Sequence, residues 1–153
     1  MHALAHTETG EDLAQIDHLI SEFYRVICFE EGGAPDFECL KALFSPHARI
    51  TRITPEGIDH LDVMGFGNMV RELLELGAFT AFYEHELSRK SHRFGRVYHI
   101  ASAYETKASP ESLDYLERGV NSLQVLREQD GWRIVSLCWD SGSHEPDGLG
   151  MFN

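Results

Sequence analysis

The chain contains no long hydrophobic run and few basic residues. No apolar stretch among the 153 residues approaches the ~20 residues that a membrane-spanning helix requires. Lys and Arg total 13 against 25 Asp and Glu, which gives a formal net charge of -12. An acidic surface repels nucleic-acid phosphates and acidic lipid headgroups. We therefore expect no nucleic-acid partner and no membrane association.

Cysteine is also scarce, and the three cysteines, Cys28, Cys39 and Cys138, are widely separated. An odd number without a CxxC pair is typical of reduced thiols, which pack as small apolar residues. The N-terminal residues lack the basic and apolar regions of a signal peptide. These features predict a cytoplasmic protein whose cysteines lie in the core.

Motifs for several kinds of chemistry are absent as well. The chain has no GxSxG, no HExxH and no phosphate-binding loop. His85 and His99 share a face of the predicted sheet, and with Glu105 they suggest a metal site, but no third ligand has a suitable spacing. We expect neither a metal nor a cofactor.

What the sequence does contain is the periodicity of three amphipathic helices within one domain. The first helix begins at a variant capping box of Thr9 and Asp12, carries apolar residues at steps of three and four, and ends before Gly32. Two shorter helices are predicted, one capped by Asp36 and running to Phe44, the other from Phe66 to Leu76. We expect a domain over residues 11–140, a flexible N-terminus over 1–10 and a loose tail over 141–153.

Aromatic and β-branched residues predict the strands of a sheet. Two short strands flank a turn at Pro55-Glu56-Gly57. Four longer strands are predicted at Phe79–Ser88, Phe94–Thr106, Tyr115–Leu126 and Trp132–Asp140. A loop at Arg89–Arg93 joins the first two of these, which pairs Ser88 with Phe94 and Glu84 with Tyr98.

Two segments resemble the nuclear transport factor 2-like, or cystatin-like, superfamily. Residues 40–48, LKALFSPHA, are similar to the family's "ALF" segment before its first strand, and residues 130–135, DGWRIV, are similar to its closing hairpin. The resemblance covers residues 12–140 and points to the SnoaL-like polyketide cyclase and ketosteroid isomerase branch. It implies an α+β fold in which a cone-shaped, strongly bent antiparallel sheet wraps around the long first helix and leaves a pocket at its open end.

Alternation along the strands predicts which residues line this pocket. One face of the first long hairpin mixes aromatic walls with hydrogen-bonding groups, as small-ligand sites do. Pairing Tyr104 with Arg118 adds two residues of the next strand, although Arg118 can equally form an ion pair that fixes the sheet register. The candidate ligand-binding residues are Phe82, Tyr98, Ser102, Tyr104, Arg118 and Ser122. Because the other face is also half apolar, we expect the partner of a homodimer to cover it.

Glu84 and Tyr24 are the candidate catalytic residues. A carboxyl in an apolar pocket has a pKa raised toward neutrality and can transfer protons, and a phenol can donate a hydrogen bond to a carbonyl or enolate oxygen. The resemblance implies an Asp base after the "ALF" segment in ketosteroid isomerases, but residues 51–53 here contain no acid. Two hypotheses follow: a cofactor-free isomerase, cyclase or dehydratase acting on a small hydrophobic carbonyl compound, or a non-catalytic ligand-binding or assembly domain.

Overall fold

The computed structural model describes residues 10–78 and 80–141. In chain order these residues form α1 (Gly10–Ile27), α2 (Phe37–Leu43), β1 (Phe44–Thr54), β2 (Gly57–Leu61), α3 (Val63–Glu75), β3 (Tyr83–Phe94), β4 (Val97–Lys107), β5 (Glu117–Glu128) and β6 (Gly131–Asp140). The six strands join one curled sheet in the order β2-β1-β6-β5-β4-β3. The predicted α+β fold with a long N-terminal helix is confirmed. Apart from Gly10 and Ser141, the two predicted flexible ends lie outside the described residues, as does Phe79.

The sheet is mixed, because β1 and β6 run parallel while all other neighbouring strands run antiparallel. β1 pairs with β2 along one edge, and the parallel pair places Ile50 of β1 beside Leu137 of β6 along the other. The first and last strands of the domain therefore lie side by side. This parallel pair is the one departure from the wholly antiparallel sheet that the sequence suggested.

The short helices begin at aspartate caps. Asp36 accepts a hydrogen bond from the backbone N of Cys39 at 3.0 Å, as predicted, and Asp62 accepts one from Gly65 at 2.7 Å. α3 therefore starts three residues before the predicted Phe66. It ends where Gly77, with a φ of 71°, adopts the left-handed conformation typical of a helix C-terminus. None of the described helices is long and apolar enough to span a membrane.

All three helices pack on one face of the sheet, here called the inner face. The core joins apolar residues of α1 and α2 to the inward side chains of β1, β4, β5 and β6. On α1, the predicted stripe is buried at Ile16, Ile20 and Phe23, but Leu13 is exposed. All three cysteines are free, and the prediction that all lie in the core is wrong for Cys39, which is exposed.

Asp12 fixes the N-terminal turn of α1 to the sheet. Its buried carboxylate accepts hydrogen bonds from Arg93 of β3 at 2.9 Å and Arg127 of β5 at 2.7 Å, and the indole N–H of Trp132 lies 3.4 Å from it. These charge-assisted contacts tie three strands to one helical turn. The predicted capping partner, Thr9, lies outside the described residues.

The β3–β4 hairpin turns later than the sequence suggested. Phe94 pairs with Val97, and Gly95 adopts a φ of 61°, so the chain reverses at Gly95-Arg96. The predicted loop at residues 89–93 is wrong, because this charged segment continues β3. Its arginines are held in the strand by carboxylates of α1: Arg89 by Asp17 and Arg93 by Asp12.

The β4–β5 register differs by one residue from the prediction. Tyr104 pairs with Gly119, and Arg118 pairs with Glu105. Since a shift of one residue exchanges the two faces of a strand, Arg118 and Ser122 lie on the outer face. Asn121 faces inward in place of Ser122.

Candidate functional site

A buried polar cluster lies where the last turns of α1 cross the inner face of β3, β4 and β5. It consists of Tyr24 from α1, Glu84 and Glu86 from β3, Ser102 from β4 and Asn121 from β5. Alternation brings the strand residues onto one face, because Ser102 lies directly opposite Asn121 and the two glutamates are two residues apart. All but Glu86 are less than 9% exposed.

The end of α1 is attached to β3 at the cluster. The thiol of Cys28 donates hydrogen bonds to the backbone oxygens of Tyr24 at 3.0 Å and Glu84 at 3.3 Å. Phe29 and Phe82 then exchange two backbone hydrogen bonds of 2.9 and 3.0 Å. These contacts, made by residues that directly follow α1 and directly precede β3, hold Tyr24 close to Glu84.

Glu84 has the most unusual environment of the cluster. Asn121 Nδ2 donates a hydrogen bond to Glu84 Oε2 at 3.3 Å, and within residues 10–78 and 80–141 no basic side chain forms an ion pair with this carboxyl. Desolvation by burial raises the pKa of Glu84 to about 8; the hydrogen bond from Asn121 opposes this rise, and the negative charge of Glu117 adds to it. At pH 7 the carboxyl is therefore mostly neutral.

Glu86, two residues further along β3, is held as a carboxylate. Arg89 donates to its two oxygens at 2.8 Å from Nη2 and 3.0 Å from Nε, and Ser102 donates to Oε2 at 2.5 Å. Arg89 also donates to Asp17 of α1 at 2.7 Å. The site thus combines a mostly neutral glutamic acid, Glu84, with a second glutamate that is paired to an arginine.

Two tyrosines supply the phenols of the site. Tyr24 contacts Ser102 at 2.6 Å and accepts from Asn121 at 3.1 Å, and burial followed by the charge of Glu84 raises its pKa. Tyr104 donates to Glu117 at 2.7 Å, and burial, with that hydrogen bond, also raises its pKa. Both phenols are therefore neutral hydrogen-bonding groups over the physiological pH range.

Only part of the predicted set is brought together. Tyr24, Glu84 and Ser102 are linked through the cluster, and Tyr104 lies on the same face, opposite Glu86. Phe82 forms the bridge with Phe29 beside this site.

Tyr98, Arg118 and Ser122 are not part of the cluster. Tyr98 is six residues from Tyr104 along β4, about 20 Å at the rise of a strand, and packs edge-on against Trp132. Ser122 lies exposed on the outer face. Arg118 donates to Glu105 at 2.8 Å, so it forms an ion pair on the outer face and none with Glu84 or Glu86.

The outer face carries a second polar group around Glu105. His85 Nε2 lies 3.0 Å from Glu105 Oε1, on the opposite oxygen from Arg118. Although burial opposes ionisation, these two hydrogen bonds hold the pKa of Glu105 below its usual value. Among the residues described, no group of three or more His, Cys, Asp or Glu side chains is placed to hold a metal ion.

Sequence reasoning missed the roles of Asn121 and Glu86. Asn121 was placed on the wrong face by the one-residue error in β5, and Glu86 was not among the candidate site residues. Gly119 is the residue that could have indicated the correct β4–β5 register, because a glycine opposite a tyrosine leaves room for the aromatic ring to lie over its backbone. Pairing Tyr104 with Gly119 places Asn121 in the site.

Comparison of the sequence with protein-family models and with curated proteins finds no match. Comparison of the structure finds many similar folds. A protein of unknown function with a cystatin-like fold from Nostoc punctiforme has a TM-score of 0.68 at 14% identity, over 90% of this chain and 96% of that one. A protein from Novosphingobium aromaticivorans, provisionally assigned as an aromatic ring hydroxylase, has a TM-score of 0.67 at 12% identity, over 90% and 94%.

A third similar structure, from Shewanella frigidimarina, is provisionally assigned as a ketosteroid isomerase. Its TM-score is 0.55 at 13% identity, over 80% of this chain and 91% of that one. Others are described as nuclear transport factor 2-like. At such identities the likeness establishes the fold, so this chain has the cystatin-like, nuclear transport factor 2-like fold that the sequence suggested. Because one fold carries several activities, function has to be argued from the site.

Proposed function

We propose that this protein binds a small hydrophobic carbonyl compound beside the polar cluster and acts on it as a cofactor-free isomerase, cyclase or dehydratase. Glu84 is the group that transfers the proton. The observation that carries the proposal is the buried carboxyl of Glu84, whose pKa is raised to about 8 and which forms no ion pair with a described residue. Such a group exchanges its proton near neutral pH, where general acid-base catalysis is most effective.

The hydrogen-bond geometry gives Glu84 a defined reactive oxygen. Asn121 donates to Oε2, and no hydrogen bond among the described residues uses Oε1, which is therefore the oxygen left to exchange the carboxyl proton. In its ionised form Glu84 takes a proton from the carbon beside a ligand carbonyl and leaves an enolate. The neutral Glu84 formed in that step returns the same proton to another carbon or to the oxygen of the ligand.

The aromatic residues near the cluster support an apolar ligand. Tyr24 packs edge-on against Phe23 with ring centroids 5.2 Å apart, Tyr104 lies on the same inner face as Ser102, and Phe82 directly precedes β3. We propose Tyr24 and Tyr104 as the phenols that hold the ligand oxygen, with Ser102 and Phe82 beside them. A phenol hydrogen bond to a developing enolate oxygen stabilises the transition state.

The first experiment is a thermal-shift screen against polycyclic ketones, phenolic polyketides, steroids and fatty acids. A ligand at 100 times its dissociation constant is expected to stabilise the fold by ~2.7 kcal/mol. A hit identifies the chemical class on which turnover is then assayed.

The catalytic role is tested by Glu84→Gln, which keeps the shape of the side chain but cannot transfer a proton. Turnover of the substrate found in the screen is expected to fall by ~10² or more. The matched control is Glu56→Gln, an exposed residue in the β1–β2 turn, where the same loss of charge leaves turnover unchanged. Full activity in a folded Glu84→Gln protein would remove Glu84 from the mechanism.

A non-catalytic ligand-binding or assembly domain is the alternative. It is favoured by the mutual satisfaction of the polar groups: Tyr24 with Ser102, Ser102 with Glu86, and Tyr104 with Glu117. Such networks also occur in structural cores. Ligand hits without turnover, or a broad screen without hits, would favour this alternative.

We further propose that the protein is a cytoplasmic homodimer with no nucleic-acid, membrane, metal or cofactor partner. The three free cysteines support a reducing compartment. The dimer is supported by the outer sheet face, which none of the described helices covers.

A further inference from the structure

The directions of the hydrogen bonds in the cluster follow from counting protons. Ser102 has one hydroxyl proton and donates it to Glu86 Oε2. Ser102 can therefore only accept in its 2.6 Å contact with Tyr24, and the phenol must be the donor. Asn121 donates to Tyr24 on the other side. All the donors point the same way, from Asn121 through Tyr24 and Ser102 to Glu86.

The fixed end of this series is the pair formed by Glu86 and Arg89. The opposite arrangement, in which Ser102 donates to Tyr24 and Tyr24 donates toward Glu84, requires a proton donor at Glu86. Arg89 excludes this, because its guanidinium keeps its charge at all accessible pH and donates to both oxygens of Glu86 at 2.8 and 3.0 Å. Asp17 of α1 holds Arg89 in place at 2.7 Å.

We propose that Glu86 and Arg89 are positioning residues for the site: through Ser102 they direct the hydroxyl proton of Tyr24 away from Glu84. In the unliganded protein the Tyr24 phenol then donates nothing toward Glu84, and the amide protons of Asn121 are already taken by Glu84 and Tyr24. A ligand carbonyl oxygen is accordingly recognised first by Glu84, and Tyr24 holds that oxygen only after its hydroxyl proton has turned from Ser102 to the ligand. The step to a ligand rests on the proposed function, whereas the proton directions are a property of the unliganded protein.

The test measures the titration of Glu84 by ¹³C NMR of its side-chain carboxyl. In Ser102→Ala the Tyr24 phenol loses the oxygen that accepts its hydrogen bond. Tyr24 and Glu84 are neighbours, because both accept a hydrogen bond from the same Asn121 nitrogen, at 3.1 and 3.3 Å. The phenol then donates to the ionised Glu84, which favours the charged form. The midpoint of Glu84 is expected to fall by about 1 pH unit.

The control is the same substitution in a Tyr24→Phe background, where no phenol proton exists to be redirected. Ser102→Ala should leave the Glu84 midpoint unchanged there. An equal shift in both backgrounds would mean that the substitution acts through packing or solvation, and it would overturn the proposal. An unchanged midpoint in the single Ser102→Ala variant would overturn it as well.

A measurement on the wild-type protein covers the case in which Ser102→Ala does not fold. A buried hydroxyl proton of Tyr24 that points at Ser102 should show nuclear Overhauser contacts to the Ser102 β protons and not to the γ protons of Glu84. The reverse pattern would contradict the proposal. None of these experiments uses a ligand or turnover, so their failure is distinguishable from failure of the proposed function.

Discussion

At the scale of the residue, Glu84 and Glu86 show how two identical carboxyls on one strand acquire different roles. They lie two residues apart on β3 and face the same side of the sheet, but Arg89 contacts only Glu86. Glu84 is surrounded by Asn121, the end of α1 and the sheet. These neighbours do not replace the water molecules that would solvate an ionised carboxylate. A buried carboxyl without an ion pair beside one that is paired to an arginine is an arrangement in which the two groups can take different roles.

The raised pKa of Glu84 predicts a dependence of stability on pH. With a pKa of about 8 in the folded protein and an ordinary value near 4.5 when unfolded, the folded state binds one more proton between these values. The contribution of Glu84 is therefore fully present below pH ~4.5 and is lost as pH rises through 8, at up to roughly 1.4 kcal/mol per pH unit. Urea unfolding from pH 5 to 9 measures it.

Glu84→Gln should remove this dependence, because the amide stays neutral at every pH. As pH rises, the free energy of unfolding of the variant is expected to fall less than that of the wild type, and above pH 8 it should be the larger of the two. Glu56→Gln, which removes the same charge from an exposed turn, should follow the wild-type curve in shape. Parallel curves for wild type and Glu84→Gln would show that Glu84 titrates normally.

At the scale of the element, the alternation of side chains along β3 and β4 predicted the correct sheet face, whereas the position of the turn between these strands was predicted wrongly. Glu84, Ser102 and Tyr104 were predicted to share a face because this requires only parity along β3 and β4. The turn was misplaced because residues 89–93 are polar and charged, as loops are. Their ion pairs to Asp17 and Asp12 of α1 depend on tertiary structure, which local sequence does not reveal.

The register of β5 depends on Gly119. Its Cα hydrogens lie beneath the ring of Tyr104, and a Cβ there would lie 2.5 Å from the phenol oxygen and 2.7 Å from Cζ. Gly119→Ala is therefore expected to lower the free energy of unfolding by about 1–3 kcal/mol, as overpacking of a core does. Chemical denaturation measures this loss.

Two matched variants decide whether Tyr104 is the cause. Gly10→Ala, at a helix position where a Cβ meets nothing within 4 Å, should be neutral or slightly stabilising. In a Tyr104→Ala background, where the ring is absent, Gly119→Ala should cost much less than in the wild type. An equal cost in both backgrounds would place the strain elsewhere than at this contact.

At the scale of the whole molecule, the fold was predictable because local signals agreed with one another. Helix periodicity, the aspartate cap of α2 and the Gly-Trp start of β6 all indicated the same order of elements. The site was less predictable, since it depends on pairing between strands that are far apart in the sequence. Asn121 enters the cluster only through the β4–β5 register, and a shift of one residue replaces it with Ser122.

The outer face of the sheet is the surface that we propose for the homodimer. Alternating residues of β4 and β5 leave Val97, Ala101, Val120 and Leu126 partly exposed there. A groove of about 350 Å³ crosses the same face, lined by Lys90, His92, His99, Ile100, Ala101, Ser122, Leu123, Gln124 and Ser136. None of these groove residues is a carboxylate. The groove therefore lacks the negative charge that would otherwise keep apart two copies with a net charge of -12 each, and Glu105, elsewhere on this face, is paired with Arg118 and His85.

Sedimentation at micromolar concentration should therefore give a species of twice the 17.4 kDa chain mass. Val120→Asp places a charge on the outer face, opposite Ala103, and is expected to shift the protein to the single-chain mass because burying an unpaired carboxylate at an interface is costly. Met64→Asp, an equally drastic change at an exposed position of α3, should leave the dimer intact. A wild-type protein that sediments only at 17.4 kDa would remove the dimer, and dissociation by Met64→Asp but not by Val120→Asp would place the interface on the helical side instead.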